Sequence, residues 1–343
     1  MIDTIGIEAP MTKTLFQAVQ SDEKTKSDEK TKSDGKKNYP SIWKKVSTPY
    51  GIFKLTIEVE KQTMSMELSP TLHLIGHNVF GTNNVELLII GIIKLIYKRF
   101  KLDITKSDKM FYQERGFGIT RIDLTASFIV GSQANVVNTM YLLREHLLAH
   151  DHHIVVHEGP DGIETIYLGK HSSRSSVKFY NKYLEVLAKN KSHELPYYSE
   201  LLKYTEELVR FEVTLRSQSL KGLNSSKAWN TAKIREILED RLNKLGLSGQ
   251  LLAELPPDVV AGLTGDKGSK YSLWLAGNDL RKHFQPYTFK RDRQFFLEKG
   301  IDITRLHADA QDAAWLSNML SIERMQMTWP KRFVAMGAVY GKK

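Results

Sequence analysis

The chain has 343 residues, enough to bury a sizeable core as one large domain or as a larger domain with a smaller companion. Its 49 Lys and Arg residues against 39 Asp and Glu residues give a net charge of +10 and a pI near 9.4, which favours a polyanionic partner such as nucleic acid or an acidic membrane surface. The absence of cysteine excludes disulfides, thiol nucleophiles and cysteine-ligated metal sites.

No export signal or membrane span is predicted. The first ten residues carry acids where a secretory signal would carry basic residues followed by an apolar run. The most apolar segment, 87–93, is interrupted by Lys94 and is far shorter than the roughly 20 residues of a membrane span. We therefore predict a buried helix there and no membrane contact.

The hydrophobic pattern along the chain predicts a mixed α+β protein. Residues 21–37 are a charged tandem repeat that cannot bury enough apolar surface to offset the entropy of ordering, so they are predicted to be a tether or an expanded loop. Alternating apolar residues predict strands, and a 3.6-residue period predicts helices. In chain order the pattern gives strands at 51–60 and 63–68, a helix at 85–100, a strand at 118–130, a helix at 134–148, short strands at 164–168 and 177–180, helices at 181–188 and 199–208, and a strand at 209–215.

Beyond a loose boundary near residue 225 the pattern becomes mainly helical. Residues 225–245 have helical spacing, 246–270 are rich in Gly, Pro and Asp, and helical spacing resumes from 273 to about 327. We predict an antiparallel sheet with helices packed on it in residues 1–225, and a smaller, mainly helical region in residues 226–343.

Two acids lie in otherwise apolar strands. Asp123 stands in TRIDLTASF and Glu212 in LVRFEVTL, and each follows an arginine by two residues, Arg121 and Arg210. A buried carboxylate needs a cation, a hydrogen-bond network or a metal. Residues i and i+2 of a strand share a face, so each arginine can simply be the partner of its own acid. Alternatively, the two acids together suit Mg²⁺ or Mn²⁺.

The segment RSSVKFYNKYLE places Tyr180 at a predicted strand-to-helix junction, with Lys178 and Lys182 each two residues away. A tyrosine hydroxyl has a pKa of about 10, so attack on phosphate requires nearby positive charge or a metal, and these lysines can supply the charge. The alternative is a strand-end tyrosine with its ring in the core and its hydroxyl in water.

Histidines raise two further hypotheses. In LHLIGHNVFGT, His77 is either a metal ligand or general acid-base, or only the cap of a turn in which Asn78 and Gly81 set the conformation. The cluster at 150–157 has the spacing of a zinc site but is predicted to be a solvated loop. The segment GLTGDKGSK lacks the second glycine of a Walker A loop, so we predict a flexible turn at 262–270 and no bound nucleotide.

Taken together and in order, four motifs resemble the replication initiators of filamentous phages, the gene II protein family. The motifs are GHNVFGT at 76–82, TRIDLTASF at 120–128, RSSVKFYNKYLE at 174–185 and LVRFEVTLRSQSLK at 208–221. A weaker similarity follows at 289–303, and the repeat at 21–37 lies outside the family pattern.

The resemblance implies a site-specific endonuclease of the host cytoplasm. It would nick one strand of the double-stranded replicative-form DNA at the origin, join Tyr180 to the 5′ phosphate, leave a 3′ hydroxyl for the host polymerase and helicase, and later recircularise the displaced single strand. Residues 1–225 would be the catalytic region, and 226–343 a DNA-binding or accessory region. No nucleotide is needed, because a tyrosyl phosphodiester conserves the energy of the bond that is broken.

The resemblance also implies roles for individual residues. Mg²⁺ or Mn²⁺ would be held by Asp123 and Glu212, with His77 and Glu185 as further candidate ligands. Tyr183 is a candidate second nucleophile if it shares a helix face with Tyr180, or else a packing or phosphate-contact residue. Phosphate contacts are expected from Arg121, Arg174, Lys178, Lys182 and Arg210, with the basic run 290–293 further out.

Two other functions stay open at this point. A non-catalytic origin-binding or copy-control protein on the same scaffold would not need Tyr180, Asp123 and Glu212 together. A membrane-surface assembly protein would rest only on the positive charge and the apolar run 87–93.

Overall fold

The computed structural model describes residues 1–22, 26–27, 41–190, 195–247 and 251–341. Most of the predicted 21–37 insert therefore lies outside the described residues. The strands are β1 (Ile2–Pro10), β2 (Lys26–Ser27), β3 (Ser41–Thr48), β4 (Gly51–Glu58), β5 (Thr63–Leu68), β6 (Gly118–Ile129), β7 (Ile154–Gly159), β8 (Gly162–Leu168), β9 (Ser175–Asn181), β10 (Leu208–Arg216) and β11 (Met325–Gln326).

Helices separate the strands and fill most of the C-terminal region. They are α1 (Lys13–Gln20), α2 (Pro70–Ile75), α3 (Val85–Arg99), α4 (Lys106–Arg115), α5 (Gln133–Ala149), α6 (Lys182–Asn190), α7 (Tyr198–Thr205), α8 (Thr231–Lys244), α9 (Pro257–Ala261), α10 (Asp266–Leu275), α11 (Leu280–His283), α12 (Pro286–Leu297), α13 (Ala310–Met319) and α14 (Lys331–Ala335). Short 3₁₀ turns lie at Ser217–Ser219, Ser226–Ala228, His307–Asp309 and Ile322–Arg324.

One antiparallel sheet organises the described residues. Its strand order is β2-β3-β4-β5-β1-β6-β10-β9-β8-β7, and β11 pairs with the last residues of β6. The outer strands on each side are joined mainly by short connections, whereas β1, β6 and β10 at the centre come from distant parts of the chain. The predicted α+β class, with an antiparallel sheet and a helical C-terminal region, is confirmed.

The central strands β6 and β10 are buried on both faces. One face carries apolar residues, among them Phe128 and Phe211, and the other carries polar residues such as Asp123 and Glu212. The apolar face packs on α5, whose first turn is capped by the Ser132 side chain. One face of the central strands thus belongs to the hydrophobic core, and the other face forms a buried polar layer.

The predicted helix at 85–100 is confirmed as α3, capped by Asn84, and most of its isoleucines are fully buried in the main core. Among the described helices, none is both long and apolar enough to cross a membrane. The helical region has a second core around Tyr271, Trp274 and Phe296, while α8 and residues near 316–327 pack on the main core.

Two sequence predictions were wrong, and strands β1, β3, β7 and β11 were not predicted. Residues 266–270 begin α10 instead of forming a flexible turn, because Lys270 pairs with Asp266 one helical turn away and with Asp292. The histidine-rich stretch is not a solvated loop throughout, since His157 lies in β7 and the His150 ring lies 3.1 Å from Asp302. Of the missed strands, β1 lies at the centre of the sheet.

Candidate active site

The cross-strand register brings the predicted site residues to one face of the sheet. Arg210 is opposite Tyr180, Glu212 lies between Thr125 and Lys178, and Thr214 is opposite Asp123. Directly opposed residues of an antiparallel ladder point to the same face. Tyr180, Lys178, Glu212 and Asp123, which come from three strands, therefore share one buried polar layer.

Tyr180 is the last but one residue of β9, and only 4% of its surface is exposed. Its hydroxyl donates to Oε2 of Glu212 at 3.4 Å, and the Lys178 ammonium lies 4.3 Å from its ring centroid. Burial, followed by the negative charges of Glu185 and Glu212, raises the pKa of Tyr180 well above its ordinary value. The hydroxyl is therefore protonated in this arrangement, and it can act as a nucleophile only if its proton is removed.

Glu212 accepts the hydrogen bond of the Tyr180 hydroxyl. Burial raises its pKa to about 7, an effect that the Lys178 ammonium opposes and that the carboxylates of Asp3 and Asp123 reinforce. Lys178 Nζ lies 2.9 Å from Oε1 of Glu212, so the second oxygen is left to Tyr180. The pKa of Lys178 is raised, because its pairing with Glu212 outweighs the effect of burial.

The first turn of α6 carries a second charged group beside Tyr180. Lys182 is fully buried, 2.5 Å from Oε2 of Glu185, and also donates to the Asn78 side chain. Burial lowers the pKa of Lys182 to about 8, although Glu185 opposes the shift. The two oxygens of Glu185 are each paired with a lysine, Lys182 and Lys189, which together lower its pKa in spite of burial.

The two strand arginines have different partners. Arg121 donates to both oxygens of Asp123, at 3.0 and 2.7 Å, as the simpler sequence hypothesis expected. Burial raises the pKa of Asp123 even so. Arg210 does not pair with Glu212; it is buried and donates to Thr125 Oγ1 and to the backbone oxygen of Val79. Arg210 thus fastens the 76–82 turn to the sheet, and the phosphate contact expected of it stays a prediction.

That turn brings His77 and Asn78 to the site. Gly76 has the left-handed conformation that ends α2, and the turn is packed from outside by the C-terminal segment, where the rings of Phe80 and Phe333 lie 4.6 Å apart. Burial, and then the charge of Lys182, lowers the pKa of His77 to about 4, so the imidazole is neutral. Among the described residues, neither ring nitrogen has a hydrogen bond of ordinary geometry, although the Ala338 backbone lies near.

Two predicted residues lie at the margin of the site. Arg174 is exposed in the turn before β9 and donates to Gln218. Tyr183 is in α6, whereas Tyr180 is in β9, so the premise that both hydroxyls share a helix face is wrong. A role for Tyr183 as second nucleophile would need a different arrangement.

Sequence reasoning missed Asp3 altogether, and it assigned Asn78 only a conformational role in the turn. Asp3 in β1 accepts from the Asn78 side chain at 2.9 Å and is close enough to Asp123 and Glu212 to raise the pKa of both. Asn78 in turn accepts from Lys182 and Lys189. The available signal was an acid inside the alternating segment MIDTIGIEAP, the same kind of signal that singled out Asp123.

The donor set is chemically compatible with the expected divalent cation. Asp3, Asp123 and Glu212 bring three carboxylates into one buried layer, where burial first and then their mutual repulsion raise the pKa values of Asp123 and Glu212, and His77 offers a neutral imidazole. Within the described ranges, no three acidic or histidine side chains are already spaced to hold a metal. Lys178 and Arg121 now neutralise the carboxylates that a cation would use, and Glu185 is occupied by two lysines.

The chain was compared with known proteins by sequence and by structure. The chain is similar to the replication-associated protein (gene II protein) of Enterobacteria phage I2-2, with 24% identity over 273 residues, 76% of this chain and 77% of the relative. It is also similar to the solved structure of a rolling circle replication initiator protein from Geobacillus stearothermophilus, at 14% identity and a TM-score of 0.29, over 76% of this chain and 82% of that chain. Residues 1–233 match the family model that describes the N-terminal part of the phage replication-associated protein, the gene II protein. This match covers more than half of the chain, and the protein therefore belongs to the gene II family of replication-associated proteins.

Proposed function

We propose that the protein is a site-specific DNA nicking and joining endonuclease that initiates rolling-circle replication of a filamentous phage genome. The observation that carries the proposal is the contact between the Tyr180 hydroxyl and Glu212, whose other oxygen is paired with Lys178. This arrangement supplies a nucleophile, a proton acceptor and a positive charge in a water-poor layer of a replication-associated protein.

The proposed step exchanges one phosphodiester for another. Tyr180 Oη attacks the scissile phosphorus, and its proton passes to Oε2 of Glu212, 3.4 Å away. The bond between phosphorus and the 3′ oxygen breaks, and Lys182, with its pKa of about 8, donates the proton that makes the leaving oxygen a 3′ hydroxyl. The reverse reaction, with a 3′ hydroxyl of the displaced strand, would reseal that strand into a circle.

Mg²⁺ or Mn²⁺ would be held by Asp123 and Glu212, with His77 as a further ligand, and when bound it would polarise the scissile phosphate. Lys178 and Arg121, each of which pairs with one of these carboxylates, would contact the DNA backbone. Exposed Arg174 would contact phosphates at the start of β9. In the host cytoplasm the 3′ hydroxyl would serve the host polymerase, with a host helicase displacing the strand.

The test is nicking of a supercoiled plasmid that carries the origin of the cognate phage, in the presence of Mg²⁺. We expect a nicked circle with protein joined to the 5′ end, and a loss on the order of 10⁴-fold or more in the Tyr180→Phe variant. Tyr141→Phe is the matched control, because Tyr141 lies on α5 at the opposite face of the sheet. Equal nicking by Tyr180→Phe would exclude Tyr180 as nucleophile, and specific origin binding without nicking by the wild type would favour a non-catalytic origin-binding protein.

A further inference from the structure

The polar layer around Tyr180 continues outward onto strands β8 and β7. Thr165 is opposite both Tyr180 and His157, and Tyr167 is opposite both Lys178 and Val155. These side chains therefore point to the same face of the sheet as the nucleophile. The other face of β8 packs on α5.

On the nucleophile's face, β7 is open to solvent, and Thr165 and Tyr167 of β8 are half-buried. Val155 is 40% exposed and His157 is exposed, whereas the neighbouring Ile166, which points the other way, is fully buried. An antiparallel sheet can pack one face on its core and leave the other in water. Here the open face is continuous with the buried layer that contains Tyr180.

A cavity of about 240 Å³ lies where the open face meets Tyr180. Its walls include Tyr167, Lys178 and Tyr180 from the sheet and Leu184 and Ala188 from α6. Its volume is many times the roughly 10–15 Å³ that a single water molecule needs. The lining is mixed, with Thr165 and Asn181 beside the two tyrosine rings and the two aliphatic side chains, and such a mixture suits a flat ring that carries polar groups at its edge.

Two acids, Glu164 and Glu185, also line the cavity, and neither would prevent an uncharged flat ring from binding. Glu185 is already paired with Lys182 and Lys189, so its charge is neutralised within the protein. Glu164 lies at the exposed rim, where water screens its charge. An uncharged nucleobase can therefore enter between them.

Positive charge accompanies the Tyr167 ring of the open face and the adjoining Tyr180 ring of the buried layer. Lys170 Nζ lies 5.1 Å from the Tyr167 ring centroid and 2.7 Å from Nε2 of His157, while Lys178 Nζ lies 4.3 Å from the Tyr180 centroid. Aromatic rings flanked by cations bind single-stranded nucleic acid, because bases stack on the rings and phosphates meet the cations. The open face thus has both of the elements that such binding requires.

We propose that this cavity and the open face of β7 and β8 form a subsite for single-stranded DNA. The nucleobase next to the scissile phosphate enters the cavity and stacks on Tyr167, and Lys170 contacts a neighbouring phosphate. This inference rests on the proposed nicking function, since it assigns the DNA strand that flanks Tyr180. Tyr167 and Lys170 are anchors that do not depend on base sequence, because every base has a face that can stack.

The test is binding of a fluorescein-labelled oligothymidylate of about 20 nucleotides in the presence of a chelator, so that no strand is cut. We expect Tyr167→Ala to weaken binding by about 5- to 150-fold and Tyr167→Phe to leave it unchanged, because stacking needs the ring and not the hydroxyl. Lys170→Gln should reduce the slope of log affinity against log salt by about 0.7. Tyr141→Ala, on the opposite face, should bind as wild type does.

Several outcomes separate the subsite from the nicking function. If Tyr167→Ala and Lys170→Gln both bind within twofold of wild type, with thermal unfolding unchanged, the subsite is wrong even if the plasmid is nicked through Tyr180. If both variants lose oligonucleotide binding but the wild type nicks no origin plasmid, the DNA subsite stands and the nicking function falls. If Tyr167→Ala does not fold, Tyr167→Leu takes its place. Weakened oligonucleotide binding by Tyr167→Leu and a reduced salt slope for Lys170→Gln would support the subsite, and wild-type values for both would exclude it.

Discussion

Two buried acids in this protein have opposite electrostatic surroundings. Asp292 in α12 has a side chain that is only 2% exposed, and it is paired with both Lys267 and Lys270. Although burial acts the other way, these lysines lower its pKa. At Glu212, burial raises the pKa to about 7, because its single lysine partner only partly opposes burial and the nearby carboxylates of Asp3 and Asp123 reinforce it.

The difference separates a structural ion cluster from the one that we propose to be reactive. At Asp292 the folded protein favours the charged form, so the pairs hold the second core together. At Glu212 the folded protein disfavours the charged form, which costs stability and leaves a carboxylate ready to accept a proton near neutral pH. Five substitutions or conditions would test this contrast, from the largest expected effect to the smallest.

Glu212→Gln should have the largest effect. It should reduce the nicking activity and leave the stability of the protein nearly unchanged. We expect nicking of an origin plasmid to fall by about 10²- to 10⁴-fold, since the glutamine cannot accept the Tyr180 proton. The free energy of unfolding at pH 8 should change by no more than about 1 kcal/mol, because the lost charge was unfavourable and Lys178 stays partly hydrated. A large loss of stability with normal nicking would reverse the assignment.

Asp292→Asn should reduce the stability of the protein and leave its nicking activity nearly unchanged. We expect urea denaturation to give a loss of about 3 kcal/mol, because Lys270 is left buried with only the exposed Asp266 as partner. Per folded molecule, the nicking rate should stay within about twofold of wild type. Asp279→Asn, which breaks a more exposed pair with Arg281, is the matched control and should cost about 1 kcal/mol or less.

The dependence of stability on pH should also distinguish the two acids. In chelator, the folded protein holds a proton on Glu212 between pH 4.5 and about 7 that the unfolded chain has lost, so this group's contribution to stability falls as pH rises through that window, by on the order of 1–3 kcal/mol. Asp292 has a lowered pKa, so its contribution is lost only below about pH 4. Glu212→Gln should flatten the neutral slope; an unchanged slope would mean that another group titrates there.

Asp3→Asn should have a smaller effect on stability, which also arises from the pKa of Glu212. Removing this negative charge should lower the pKa of Glu212 and stabilise the protein slightly at neutral pH. The measurement is the midpoint of the pH-stability curve in chelator, compared with Glu8→Gln as an acid in the same strand. An upward shift of the midpoint would show that Asp3 acts on Glu212 in some other way.

Tyr183→Phe should have the smallest effect. Because Tyr183 lies in α6 and Tyr180 in β9, we expect nicking, transfer and circularisation within about twofold of wild type. The three steps can be followed on one labelled plasmid. Normal nicking with a loss of circularisation would restore the hypothesis of two alternating nucleophiles.

Local pattern was enough to predict most strands and helices near the site. In β6, β9 and β10, side chains alternate between the two faces of the sheet. This alternation alone places Asp123, Lys178, Tyr180 and Glu212 on the face away from their apolar neighbours. It could not show that Glu212 pairs with Lys178 of another strand and not with Arg210 of its own. Strand β1 was missed because its alternation is short and its acids resembled those of a surface segment.

By itself, the sequence determined the family and the α+β class, since these depend on residue types and their order along the chain, and it supplied the candidate site residues on which the proposed chemistry rests. Only the tertiary structure decided which groups meet. The order β1-β6-β10-β9 joins strands far apart in sequence, and their register depends on packing of the whole sheet. That register brings Asp3 close to Asp123 and Glu212, gives Glu212 its pKa near 7, and leaves β7 and β8 partly open beside Tyr180.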